Sequence, residues 1–563
     1  MIRTLLLYSV CLGASGQGWQ QWGQNALHTG TVGALGQKLE STRGEFLYDH
    51  LADRIRQDNG GSLLVHYMTP LVEGDEVFVL SRGNSQWVSC RDTLPPCGAQ
   101  LWGRMQWGLT KLRRRNGVVE KVWTAMSTWK PAPDTGTGWE PVFHPAIRGQ
   151  YVYMPGEGGM VMQFDRITGD LIDCLTPFED QDPNRFITSP LTIDAQGAIY
   201  YTTMQLDARS PWTRDVVDSH VVKIDAAGAA SRVRFASIVP GAPVNDCATS
   251  FATNQLPWPP APDAKPPVAE CGTQRAALNA APAVAEDGTV YVISRAHLNA
   301  AYGFVVALHS DLTLRWTATL RDRLQDGCEV LLPANGTIGG CRRGALRGVD
   351  PSTNDFPAGR VEDRSTASPV VAPDGSVLYG AYTRYNYRRG HLFRFDANGH
   401  FLNSYDFGWD ITPAISRHSG GWSVIVKDNS YEVGSYCDVI GQCGLGEPKF
   451  NMTSLTPDLQ VEWKYLNSNN QSCERLADGT LSCHPHTGGF DWCVNMVAVD
   501  RNGTIYANSE DGNLYALDRS GQLVGRLFLK KALGAAYTPL AIGEDGLVYT
   551  QNNGTLFIAG ERQ

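Results

Sequence analysis

The sequence predicts an all-β chain folded as a single β-propeller of about eight four-stranded blades. Three observations lead there. A segment with a blade-length period recurs along the chain, and each copy reads as a β-hairpin. The 563 residues also exceed what one ordinary hydrophobic core organises, so the architecture has to grow by repetition.

The copies are TPLVEGDEVFVL from Thr69, HPAIRGQYVYMP from His144, SPLTIDAQGAIYYT from Ser189 and APAVAEDGTVYVI from Ala281. SPVVAPDGSVLYG from Ser368, TPAISRHSGGWSVIV from Thr412, NMVAVDRNGTIYAN from Asn495 and TPLAIGEDGLVYT from Thr538 complete the set. In each, an anchor Pro (Met496 in one copy) precedes a short apolar run, a turn and a second β-rich run. Asp287-Gly288, Asp374-Gly375, Asn502-Gly503 and Asp545-Gly546 supply the turn residues that tolerate positive φ. Further runs such as MVMQFDRITGDLI from Met160, HLFRFDANGHFL from His391 and NLYALDRSGQLV from Asn513 add the third and fourth strands. A four-stranded meander of this kind cannot bury both faces alone and must stack on its neighbours.

Anchors 145 and 190 lie 45 residues apart, and the longer gaps are read as a blade plus an insertion. The stretch from Cys328 to Val361 leaves a ninth blade open, with eight favoured. The final copy supplies only three strands, so ring closure needs a donor strand from the N-terminal region, around Gly44 to Tyr48. The organisation expected is a signal peptide at 1–16, an N-terminal lead-in and ring-closing segment at 17–65, and the propeller at 66–563.

Composition narrows the function classes. A net charge of −9 without a basic run removes the electrostatic basis for nucleic-acid binding. The apolar run Leu5–Leu12, followed by Gly13, Ala14, Ser15 and Gly16, reads as a cleavable export signal, and no later stretch has transmembrane length. The expected location is therefore secreted or periplasmic. Cys11 stands where a lipid-anchor cysteine stands, but the bulky Val10 before it argues against lipidation.

Removing Cys11 leaves twelve cysteines, an even number that suits an oxidising compartment. The pairing with the shortest loops joins Cys90 to Cys97, Cys247 to Cys271, Cys328 to Cys341, Cys437 to Cys443 and Cys473 to Cys483. Cys174 and Cys493 remain as a long-range pair, and other connectivities stay open. These bridges would staple the insertions between blades. Cys483, His484, His486 and Cys493 resemble a zinc-ligand cluster, but without a CxxC pair disulfides are favoured and no metal site is predicted.

With these copies in hand, the chain resembles the pyrroloquinoline-quinone-like (PQQ-like) propeller repeat family over residues 65 to 560. WGQNALHTG from Trp22 resembles the lead segment common in that family. The resemblance implies the propeller fold and allows functions from quinone-dependent dehydrogenase to non-catalytic assembly scaffold. In the dehydrogenases it implies PQQ on the ring axis with a Ca²⁺ ion held by acidic and amide side chains. This sequence lacks the adjacent-cysteine pair of many alcohol-oxidising members, and a full calcium-ligand set does not match residue by residue.

Loops just ahead of the anchor positions gather around one mouth of a propeller's channel. There the sequence places Trp139 and Glu140, Trp409 and Asp410, Asp491 and Trp492, and Tyr537. Such aromatics and carboxylates can hold a sugar, a cyclic cofactor or a cation, or can simply pack between blades and cap turns. The recurring acids Asp194, Asp287, Asp374, Asp500 and Asp545, and Asp165, Asp225, Asp396 and Asp518, are read as turn formers because each set repeats at one position. The function expected is an exported binding or scaffold propeller that presents a loop-lined channel mouth to a protein, glycan or small ligand, with no cofactor. The alternative is a PQQ-dependent oxidoreductase acting on an alcohol or sugar. No catalytic residue is assigned.

Overall fold

The computed structural model describes residues 18–58, 63, 67–83, 105–133, 141–251, 259–330, 332, 341–383, 390–408, 411–430, 449–492, 494–534 and 539–562. The expected signal peptide lies outside them. Turn-forming dipeptides and alternating β-branched runs fold into eight antiparallel sheets arranged as the blades of a propeller. The first seven blades span 71–127, 146–175, 185–234, 274–319, 370–407, 414–466 and 498–528. The eighth combines Ala541–Ile542, Val548–Asn552 and Thr555–Gly560 with the N-terminal strand Ser41–Leu47 as its outermost member. The ring thus closes as expected, with Ser41 opposite Gly560 and Leu47 opposite Thr555.

Closure is tied down just beyond that strand. The Tyr48 and Asp49 N–H groups both donate to the Gly554 carbonyl at 3.0 Å. The Asp49 carboxylate accepts from Tyr67 Oη at 2.6 Å and pairs with Arg82 of the first blade. The same short segment therefore joins the last blade to the first.

Turn acids do what their recurrence predicts. Asp194 Oδ1 accepts from the N–H groups of Gly197 (2.7 Å) and Ala198 (2.9 Å), and Asp500 Oδ1 from those of Asn502 and Thr504, both at 2.8 Å. The outer-turn acids behave alike: Asp165 accepts from Ile167 and Thr168, and Asp518 from Ser520 and Gln522. Backbone N–H donation to Asp165 holds that carboxyl below its ordinary range.

Blades stack through apolar faces, one cluster running from Phe78 and Leu80 through Val152 to Tyr201 and Val222. Three tryptophans, not singled out by the sequence reading, lock neighbouring blades in the same way. Trp123, Trp316 and Trp463 each leave an outer strand and donate through Nε1 to a carbonyl in the next blade's outer turn. The acceptors are Arg166 (3.2 Å), Ala397 (2.9 Å) and Arg519 (2.8 Å). Each indole lies on a turn glycine. At Gly399, with φ +85, an added Cβ would stand 2.6 Å from the Trp316 ring.

Disulfides join Cys247 to Cys271, Cys328 to Cys341 and Cys473 to Cys483, each within an insertion between blades. The described part of Cys328–Val361 forms no sheet of its own, and only isolated bridges such as Arg360 with Tyr382 involve it, so the blade count is eight. Cys174 is a free thiol and corrects the expected pairing with Cys493. It lies on the outer strand Leu171–Leu175 of the second blade and packs against that blade's cluster. Trp492 and Val494, which flank Cys493, are buried in the cluster of blades six to eight. Cys90, Cys97, Cys437, Cys443 and Cys493 lie outside the described residues.

Two outcomes test this account. Deleting Ser41–Leu47 should abolish the single cooperative unfolding transition in calorimetry, because it leaves the Thr555–Gly560 edge unpaired. Trp316→Ala should lower stability by about 2–3 kcal/mol in urea unfolding while leaving the β-strand content, read by far-UV circular dichroism, unchanged.

Candidate functional site

The innermost strand of a propeller blade has one edge facing the axis with no further strand to pair it. Here residues 19–37 supply the missing partners, touching all eight blades in chain order. The carbonyls of Trp19, Gln20, Ala26, Leu27, Thr29 and Gly30 accept from the N–H groups of Val72, Ile147, Val284, Val371, Ile415 and Val499 at 2.7–3.0 Å. In the third blade the Gln21 side chain replaces the main chain, donating to the Ile193 carbonyl (3.0 Å) and accepting from the Ile193 N–H (2.6 Å). The Gln37 N–H then donates to the Gly546 carbonyl of the eighth blade at 2.8 Å.

The Trp22–Gly30 segment is the bend that makes this possible. Gly23, Gln24, His28 and Gly30 all have φ between +60 and +74. At Gly30 a Cβ would meet the Val497 carbonyl at 3.0 Å and Ala414 Cβ at 3.1 Å, so a larger residue has no room.

Two side chains of this thread fill the axis. Trp22 is buried with Val142 and Ala281, and its ring stands edge-on to His144 with centroids 5.3 Å apart. His28 is fully buried, its Nδ1–H donating to the Pro369 carbonyl (2.9 Å) while Nε2 accepts from Thr192 Oγ1 (3.3 Å). It thereby spans the fifth and third blades. Above them Asn279, at φ +63, bridges the ring again: Oδ1 accepts from the Val142 N–H (3.1 Å) and Nδ2 donates to the Ser365 carbonyl (3.1 Å).

The residues just ahead of the inner strands form a ring of small polar side chains: Thr69, His144, Ser189, Ser368, Thr412 and Asn495, with Ala281 in the fourth blade. All of these are buried. Blades four to seven satisfy one another here: Ser368 Oγ accepts from the Ala281 N–H (2.9 Å), Thr412 Oγ1 from the Ser368 N–H (3.0 Å), and Asn495 Nδ2 donates to Thr366 Oγ1. Blades one, two and seven keep buried atoms with no hydrogen-bond partner among the described residues: Thr69 Oγ1, His144 Nε2 and Asn495 Oδ1.

Of the expected mouth residues, Asp491 and Trp492 are described; Trp139, Glu140, Trp409, Asp410 and Tyr537 lie outside the described residues. Trp492 is wholly buried, Nε1 donating to the Phe450 carbonyl (3.2 Å) and the ring edge-on to Tyr515 at 5.0 Å, so it wedges the sixth blade against the seventh. The half-buried Asp491 holds the following turn through its carbonyl, which accepts from Ser509 Oγ at 2.9 Å and the Glu510 N–H at 3.2 Å. Among the described residues no three His, Cys, Asp or Glu side chains gather to hold a metal ion. His486 stacks on Phe490 with centroids 4.3 Å apart, next to the stapled hairpin that carries His484.

Burial holds His28 down to about 4 and His144 to about 3, far below the ordinary 6.5. The unfolded chain takes up these protons near 6.5 and the fold refuses them, so stability is complete above pH 6.5 and falls as pH drops from 6.5 towards 4. The thermal midpoint should therefore be flat above pH 7 and decline from pH 6.5 to pH 5. His28→Asn should make that decline shallower in a calorimetric pH series.

No protein-family model matches this sequence, and no curated protein matches it either. Solved structures with a similar backbone include a europium-containing methanol dehydrogenase, 10% identical over 96% of this chain and 89% of its own, with a TM-score of 0.48. A quinohemoprotein alcohol dehydrogenase from Pseudomonas putida HK5 is 10% identical over 97% and 76%, with a TM-score of 0.47. BamB from Moraxella catarrhalis is 12% identical over 86% and 98%, with a TM-score of 0.35. Its own coordinates make the chain an eight-bladed β-propeller, the fold that the resemblance to the PQQ-like repeat family implies.

Proposed function

We propose that the protein is an exported binding propeller whose loop-lined mouth holds a protein, glycan or small ligand. One observation carries this reading: the buried atoms Thr69 Oγ1, His144 Nε2 and Asn495 Oδ1, at equivalent positions of three blades, have no hydrogen-bond partner among the described residues. A buried polar atom left unpaired costs about 1–3 kcal/mol, so these positions favour something that brings hydrogen bonds to them. The ring is uncharged, since both histidines at the axis are held neutral, and such a surface suits a hydroxyl-rich ligand, a glycan above all. The thread ties the inner strands beside this ring to one another, which holds its side chains in place.

The cofactor of the alternative reading fits this ring poorly. PQQ carries three carboxylates, and the ring of Thr, Ser, Asn and neutral His offers no cation to pair with them. The described residues therefore support no step through that group.

The mature protein should show saturable glycan binding by calorimetry against a panel of neutral oligosaccharides. Asn495→Ala and Thr69→Val should weaken it by about tenfold each. Protein mixed with PQQ and Ca²⁺ should show no quinone absorbance after desalting and no dye reduction with alcohols. Retained quinone with turnover would replace this reading with the oxidoreductase.

A further inference from the structure

Away from the axis, the stapled insertions on either side of the fourth blade dock on each other. The Phe251 N–H donates to the Ser352 carbonyl at 2.8 Å. Asn354 Nδ2 donates to the carbonyls of Ala261 (3.3 Å), Pro262 (2.6 Å) and Ala264 (3.1 Å) in the opposite insertion. One insertion is closed by Cys247–Cys271 and the other by Cys328–Cys341. Where they meet the rim of the fourth blade they leave a cleft of about 240 Å³.

The cleft is lined by Arg321, Arg360, Thr249, Ser250, Asp350 and Phe356, among others. Arg321 is held in place from one side only. Its guanidinium lies 4.3 Å from the Tyr302 ring centroid, and its nearest carboxylate, Asp355, is 3.7 Å away, too far for a hydrogen bond. The side chain is only 16% exposed. Among the described residues Arg360 engages Glu362 through Nε, at 2.7 Å. The hydroxyl of Ser250 is buried with no partner among the described residues. Asp350 does not offset this excess of donors, because it is 5% exposed and its Oδ1 accepts from the Ser352 N–H at 2.8 Å.

We propose that this cleft binds a small carboxylate-bearing molecule of about the size of a uronic acid. Two guanidinium groups with unspent donors, at the edge of a pocket that also carries a hydroxyl and the Phe356 ring, match a planar two-oxygen anion attached to a compact body. A neutral sugar would leave the guanidinium donors unpaired, and a bare point anion would leave the apolar wall bare. Both disulfides fix the walls before the ligand arrives, so little ordering is lost on binding. The site is independent of the mouth and stands or falls without it.

The test uses the full chain with its disulfides intact, titrated with D-galacturonate, galactose, succinate and inorganic phosphate by calorimetry and thermal shift. Galacturonate should bind saturably and raise the unfolding midpoint, and galactose should do neither. Arg360→Gln should weaken binding at least about tenfold, as should Arg321→Gln, with the unligated midpoint unchanged. Arg321→Lys, which keeps the charge and the stem but loses the fork, should give an intermediate loss and serves if Arg321→Gln fails to fold. The proposal is overturned if neither galacturonate nor succinate binds saturably, if galactose matches galacturonate, or if phosphate alone binds. Undiminished binding in the Arg360→Gln variant overturns it equally.

Discussion

The structure depends on how the inner edge of eight sheets is satisfied. Each blade ends at the axis in a two- to five-residue strand with main-chain groups that nothing in its own sheet can pair. The thread from Trp19 to Gln37 pairs them one blade at a time. This arrangement explains why Trp22 and His28 are buried among the blades and why both buried histidines, His28 and His144, stay neutral. Blade stacking through tryptophan-on-glycine locks sets the spacing, but it is the thread that relates all eight blades to one another.

Much of the ring was legible because it is written in local chemistry. Asp-Gly and Asn-Gly turns, the anchor before each inner strand and the recurring turn acids each act within a few residues, so eight copies could be aligned by eye. The closing strand was legible by strand count: a last copy with three strands demands a fourth, and Ser41–Leu47 supplies it. The thread itself was not. Its contacts are made by main-chain carbonyls of successive residues, which leave little pattern in side-chain identity. Only the left-handed positions Gly23 and Gly30 mark it, and they are visible in the WGQNALHTG segment without revealing what they are for.

The tryptophan locks went unread for another reason. Trp123, Trp316 and Trp463 stand alone in outer strands, and their partners Gly169, Gly399 and Gly521 lie in the next blade, so neither half looks special without the other. At the candidate mouth the sequence placed Trp492 among ligand contacts, and its burial between Phe450, Tyr465 and Tyr515 shows how an aromatic ahead of an anchor can instead serve a blade junction. Cys174 was matched to Cys493 by parity, since both were left over once the short loops were drawn. Parity takes no account of which blade each residue falls in. The cleft between the insertions carries no motif at all, because Arg321, Arg360 and Ser250 are brought together by two disulfide loops far apart in sequence.

Ring closure has a consequence for how the protein is made. Ser41 pairs with Gly560, so this strand must remain unmatched until the eighth blade, more than five hundred residues later, has followed it. Blades can form in turn as the chain emerges, but the disc stays open, with unpaired sheet edges on both sides of the gap, until the eighth blade is complete.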